Sequence, residues 1–144
     1  MGDLRTDDRK KPDFTGVWVF NPEKSTLQID PPDSTAIVIN HREPGFRLSR
    51  THTRENASDT LSLELVTDGR ELVLDQAGIR IRGRVFWDAD TLVFDTTLIR
   101  GEDEATNIVR YRLSDLPASL IAEESFRSRS VNYDNVWVMD RKKS

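Results

Sequence analysis

Cysteine is absent from the 144 residues, which excludes a disulfide framework, thiol catalysis and cysteine-ligated zinc or iron–sulfur sites. No apolar run approaches the ~20 residues of a membrane-spanning helix. No basic excess exists either: 25 acidic residues outnumber 21 basic ones, for a net charge of -4. Nucleic-acid binders need clustered Lys and Arg for phosphate contacts, so nucleic acid is not an expected partner. Apolar residues make up 36%, below the usual ~45–50%. That is core enough for one domain, and the length says the same. Histidine occurs only twice. Met1 to Lys11 is polar and lacks the apolar core of a signal peptide. As written, the chain reads as cytoplasmic, or as periplasmic or secreted if a leader has been removed. Residues 1–12 read as a disordered or appended arm with nothing to bury, and residues 13–144 as the single domain.

From Asp13 onward, short alternating runs are separated by turn residues. Phe14 to Phe20 is aromatic and β-branched with a period of two, a strand pattern. Thr35 to His41 and Phe46 to Arg54 follow, joined at Glu43-Pro44-Gly45, where Pro and Gly favour a sharp reversal. Asn21 to Ser34 carries three prolines and has room for at most a short helical turn. Glu55 to Asp59 reads as a loop before the alternating leucines 61, 63 and 65. Asp68-Gly69 reads as a hairpin turn into a short strand near Leu72 to Leu74. Gly78 to Trp87 alternates cleanly, with Ile79, Ile81, Gly83, Val85 and Trp87 on one face and Arg80, Arg82, Arg84 and Phe86 on the other. Leu92 to Ile99, Thr106 to Leu113, Leu120 to Arg127 and Asn135 to Arg141 complete about ten strands, with turns at Asp88–Thr91, Gly101–Glu104, Asp115–Ser119 and Asn132–Asp134. A spacing of ~8–12 residues with tight reversals predicts an all-β fold, an up-and-down antiparallel β-barrel of about 8–10 strands. Closure removes exposed edges, and a barrel of this size has room for one small ligand. Incomplete closure would leave an edge on which a homodimer can form.

Asp13-Phe14-Thr15-Gly16-Val17-Trp18, followed by Asn21-Pro22-Glu23-Lys24-Ser25, resembles the opening of small bacterial lipocalin-like proteins of calycin type. Further matching residues are His41-Arg42-Glu43-Pro44, Thr67-Asp68-Gly69-Arg70-Glu71, Trp87-Asp88-Ala89-Asp90-Thr91-Leu92 and the terminal Val136-Trp137-Val138-Met139-Asp140-Arg141. The ordered set spans Asp13 to Arg141. The resemblance implies a lipocalin-like barrel holding a small hydrophobic or amphipathic molecule. It also implies that Trp18 sits at the closed end beneath a cationic side chain, Arg141 or in its place Arg127, in a cation–π contact.

The chemistry-bearing residues are few. A tight turn after Arg42 pairs His41 with Phe46 and His52 with about Thr35. The two histidines then lie about six positions apart, roughly 20 Å, too far to share a metal ion. No metal and no cofactor is expected. His41 reads as a turn cap. Arg50 and His52 share parity with Phe46 and Leu48, so an interior Arg50 can anchor a ligand carboxylate, as in intracellular fatty-acid binders. The expected lining is Phe20, Ile39, Leu48, Leu63, Ile81, Phe94, Tyr111 and Phe126, with Arg50 and His52 as polar contacts. If Leu113 and Leu120 pair across their turn, Glu124 shares a face with Tyr111 and Phe126 and points inward among apolar groups; a one-residue slip would turn Glu123 inward instead and leave Glu124 in water. Arg80, Arg82 and Arg84 read as a solvated ladder with Glu64 or Glu71 as partners. The alternative is a barrel enzyme (isomerase, cyclase, hydratase or hydrolase) acting on an apolar small molecule by general acid/base catalysis. Its candidate catalytic residues are His52, Glu124 and Tyr111. The inward bulk of Phe14, Trp18, Trp87, Phe94 and Trp137 leaves a third outcome open, a filled barrel with no cavity.

Overall fold

When one face of a strand is packed and the other wet, every second side chain is buried. β2, Ser34–Arg42, shows it directly: Thr35, Ile37, Ile39 and His41 are buried while Val38 and Asn40 are exposed. The computed structural model describes residues 11–115 and 118–142. The other strands are β1 (Gly16–Phe20), β3 (Gly45–Arg54), β4 (Ala57–Val66), β5 (Leu72–Gln76), β6 (Ile79–Asp88), β7 (Thr91–Arg100), β8 (Asp103–Asp115), β9 (Ala118–Ser128) and β10 (Asn132–Arg141). They form one ten-stranded antiparallel sheet in the order β4-β3-β2-β1-β10-β9-β8-β7-β6-β5. The first and last strands therefore pair in its middle, and the sheet curls until β4 lies against β6. This is the all-β, up-and-down antiparallel architecture expected from the alternation. None of the described residues is helical, and no described helix is long and apolar enough to cross a membrane.

One end of the curled sheet is packed solid. Phe14, Trp18, Leu92 and Leu120 are each 0% exposed. The Trp18 indole N–H donates to the Phe14 carbonyl at 3.0 Å, so its one polar atom is satisfied on burial. The Arg141 guanidinium lies 4.3 Å from the Trp18 ring centroid and donates to the Thr15 carbonyl at 3.0 Å. Arg141, directly opposite Trp18 in the β1–β10 ladder, thus fills the cationic role. Arg127 instead sits at the other end of β9, bonded to Asp134 at 2.8 Å. Gly16 explains the Gly-x-Trp pattern: a Cβ there would meet Arg141 Nη1 at 2.6 Å, and its φ of +154° disfavours any side chain.

A second anchor closes this end. Glu43 accepts from His41 Nε2 at 2.8 Å, from the Thr67 hydroxyl at 2.6 Å and from the Trp87 indole at 3.0 Å. Those bonds tie the β2–β3 turn to the β4–β5 connection and to β6, bridging the gap in the sheet. Burial raises the Glu43 carboxyl, and the three donors outweigh it, leaving it below the ordinary glutamate range. His41 is buried, and its Nδ1 accepts the Phe14 backbone N–H at 3.2 Å. That bond leaves Nε2 as the donor to Glu43.

Several expectations need correction. Asp68-Gly69 does not make a hairpin: β4 and β5 are the two ends of the strand order and are not bonded to each other. The backbone donors of this connection go elsewhere, Thr67 N–H to the Pro44 carbonyl and Gly69 N–H to the Val85 carbonyl. Asp68 turns the chain locally by accepting the Arg70 N–H. The loop expected at Glu55–Asp59 shrinks to Glu55 and Asn56. Both take left-handed φ values, 48° and 68°, the two-residue geometry that matches strand twist, and β4 starts at Ala57. The final reversal lies at residues 129–131 rather than at Asn132–Asp134, because Ser128 and Val131 bond to each other across it. Arg82 does pair with Glu71, but Arg80 pairs with Asp75 and Glu64 with Arg47. Leu116 and Pro117 of the expected Asp115–Ser119 turn lie outside the described residues.

Gly16→Ala is expected to cost about 1–3 kcal/mol of unfolding free energy. In an Arg141→Ala background the cost should shrink by the clash and retain the part due to φ. Urea denaturation of the four proteins reads both terms; an unchanged cost in that background would remove Arg141 as the reason for the glycine.

Candidate functional site

The opposite end of the barrel is hollow and polar. Its position is set by register. His52 lies opposite Thr35 on β2 and Asp59 on β4. Glu124 lies opposite Asn135 on β10 and Val109 on β8. A cavity of about 440 Å³ opens here, lined among others by Arg50, His52, Glu124, Tyr133 and Trp137. That volume falls within the ~300–1,000 Å³ of small-molecule sites. Ile29 and Pro32 cap it. They belong to the extended segment after β1, whose Thr26 bridges to Val136. Arg54 holds this segment over the mouth, donating to the carbonyls of Asp30 at 2.6 Å and Pro31 at 3.1 Å.

Leu113 pairs with Leu120, so the unslipped register holds and Glu124 points inward, but not among apolar groups. Its Oε1 accepts from Asn135 Nδ2 and from the Trp137 indole, each at 2.9 Å. Its Oε2 accepts from Asn107 Nδ2 at 3.1 Å. Asn135, 1% exposed, also accepts the Gln28 backbone N–H at 2.8 Å, so it locks the capping segment to the carboxylate.

Arg50 is the counterpoint. Its guanidinium faces the same cavity, yet no ion pair or hydrogen bond to it occurs among the described residues. Its Nε is buried with no partner. A charge placed this way is costly unless something opposite in sign meets it.

His52 Nδ1 lies 2.6 Å from the Thr35 hydroxyl, and its ring tilts against Trp137 at 5.7 Å between centroids. Burial, reinforced by the nearby Arg50 charge, pushes its pKa down to about 4. Tyr111 packs edge-on against Phe94 at 4.9 Å, and burial pushes its phenol up to about 12.

All ten expected lining residues lie on the inner face, but at different depths. Phe20, Ile39, Leu48 and Phe94 belong to the packed core, and Tyr111 packs against it. Leu63 and Ile81 are half-buried on β4 and β6. Phe126 stacks on Tyr133 with rings 4.8 Å apart and lines a second hollow of about 460 Å³ beside Ile79 and Leu98. Of the ten, Arg50 and His52 line the first cavity, together with the catalytic candidate Glu124. Between β7 and β8, Leu92 lies opposite Tyr111 and Phe94 opposite Val109. The barrel is therefore filled at one end and hollow at the other.

Sequence reasoning missed Asn107, Asn135 and the capping Ile29 and Pro32. Inward parity with Glu124 was the available signal for the two asparagines. The capping pair left none, because an irregular segment has no periodicity.

A histidine held neutral in the fold and basic when unfolded makes the unfolded chain bind more protons at mildly acid pH. The resulting stability deficit is absent above about 6.5 and grows as pH falls toward about 4. His52→Gln is therefore expected to flatten stability between pH 6.5 and 4.5 relative to the parent chain. NMR titration of the ring protons gives the direct check; a midpoint near 6.5 would refute the buried, Arg50-facing environment.

No family model and no curated relative matches the chain. Solved structures do. The zebrafish ileal bile acid-binding protein complexed with cholic acid is 13% identical with a TM-score of 0.59, over 90% of this chain and 98% of that one. Human cRBP IV is 15% identical with a TM-score of 0.59, over 91% and 99%. A Schistosoma mansoni fatty acid binding protein in complex with arachidonic acid is 10% identical with a TM-score of 0.55, over 90% and 96%. At these identities the likeness is one of fold alone: an all-β, antiparallel, curled barrel.

Proposed function

We propose that this barrel binds a small amphipathic acid, with its carboxylate on Arg50 and its apolar body in the lumen. The observation that carries the reading is the unpaired, partly buried Arg50 guanidinium facing a cavity of about 440 Å³. A carboxylate accepts a guanidinium bidentately and neutralises it in the same step. Glu124 does not compete for the role, since its oxygens already take three N–H donors. Apolar burial supplies the affinity, at roughly 25 cal/mol per Å² of surface removed from water. Two of the similar barrels are described with acids of this kind bound, cholic acid and arachidonic acid.

A proton-transfer enzyme built on His52, Glu124 and Tyr111 has less support. A general acid or base works best with a pKa near the operating pH, whereas His52 lies near about 4 and Tyr111 near about 12. No hydrogen bond links the three among the described residues. They serve the binding reading better: His52 as a neutral wall, Tyr111 packed against the core, Glu124 as the tie between β8, β9 and β10.

Removing a charge-assisted hydrogen bond costs about 1.5–3 kcal/mol, so Arg50→Gln is expected to weaken a long-chain carboxylate about 10–100-fold. The matching long-chain alcohol should change less than threefold. Isothermal titration at neutral pH measures both. Equal losses for acid and alcohol would mean that Arg50 shapes the cavity without reading the acid.

A further inference from the structure

Two buried side-chain atoms lack any partner among the described residues, and they are opposite in kind: the donor Arg50 Nε and the acceptor Asn107 Oδ1. The first is explained by an acid. The second points to another group on the same ligand, a step that rests on the acid-binding reading.

Asn107 lies on the inner face of β8, opposite Thr96 on β7 and Phe126 on β9. Its orientation is set by its neighbour. Nδ2 donates to Glu124 Oε2 at 3.1 Å, and a flipped amide would put two acceptors face to face. Oδ1 must therefore point away from Glu124. The neighbouring hydroxyl cannot satisfy it, because Thr96 Oγ1 already donates to the Asn107 backbone carbonyl at 2.8 Å. Glu124, on one side, lines the cavity that Arg50 faces. Phe126, on the other, lines the second hollow. Asn107, bonded to the one and paired with the other, thus stands between a residue of each hollow, and a ligand long enough to reach from Arg50 into the second hollow would run past it. A plain hydrocarbon chain would cover Oδ1 and leave it unmet, whereas an O–H at that point completes it.

We propose that the ligand is a hydroxylated amphipathic acid, and that Asn107 is the residue selecting for its hydroxyl. Arg50 takes the carboxylate at one end. Asn107 accepts from a hydroxyl carried further along the apolar body. Asn107 acts here as a specificity determinant and has no part in holding the acid.

The test is displacement of the apolar fluorophore 1-anilinonaphthalene-8-sulfonate from the full chain. The competitors are stearic acid and its 9-, 10- and 12-hydroxy derivatives. In the parent protein at least one hydroxy acid is expected to bind about 3–10-fold more tightly than stearic acid, the size of one net hydrogen bond. Asn107→Leu should bring that ratio to about one while leaving stearic acid within threefold. If all hydroxy acids bind within twofold of stearic acid on the parent protein, water meets Oδ1 and the proposal is overturned; this needs no variant. It is also overturned if the preference survives in Asn107→Leu or, should that variant not fold, in Asn107→Ala. Failure of every acid to displace the probe from the parent protein would instead sink the acid-binding reading itself.

Discussion

An inward carboxylate on a barrel strand has to be met by donors, and the open half of this molecule is arranged around that constraint. Glu124 takes one N–H from β8 and two from β10, which binds three strands into one polar wall. Asn135 carries the constraint outward to the segment that caps the cavity. Because these donors come from neutral amides and an indole, they satisfy Glu124 without neutralising Arg50. The unpaired guanidinium and the orphaned Asn107 oxygen are both consequences of that choice. A salt bridge between Arg50 and Glu124 would have balanced the charges and left the cavity without a polar anchor.

The other half of the barrel obeys a different rule. Its inward side chains are large and apolar, and its polar atoms are paired locally, as with the Trp18 indole, the two His41 nitrogens and the Glu43 carboxylate. That end supplies rigidity. Rigid packing below and an unfilled polar chamber above leave the cavity preorganised before any ligand arrives. The exposed arginine pairs on β6 add little to this, since surface ion pairs are each worth about 0–1 kcal/mol.

Much of the barrel was legible from alternation, because burial of one sheet face imposes a period of two on every strand. The pairing of His41 with Phe46 and of His52 with Thr35 followed from the Glu43-Pro44-Gly45 turn alone. Asp68-Gly69 misled because a turn signal reports local backbone geometry and not the partner of the strand after it. Its N–H groups found the Pro44 and Val85 carbonyls instead. Asn107 and Asn135 escaped notice because a polar residue at an inward position is meaningful only once the charge facing it is known.

The sequence by itself determined the strand count and the candidacy of Arg50, His52 and Glu124, since those depend on near-neighbour patterning and turn chemistry. Tertiary structure alone decided where the sheet opens, the register across β7, β8 and β9, which inward residues became solid core and which face a cavity, and that Arg50 has no partner among the described residues. Those outcomes depend on distances across the barrel between strands far apart in the chain. Whether a buried charge meets a partner is a property of the closed space, and no run of residues along one strand contains it.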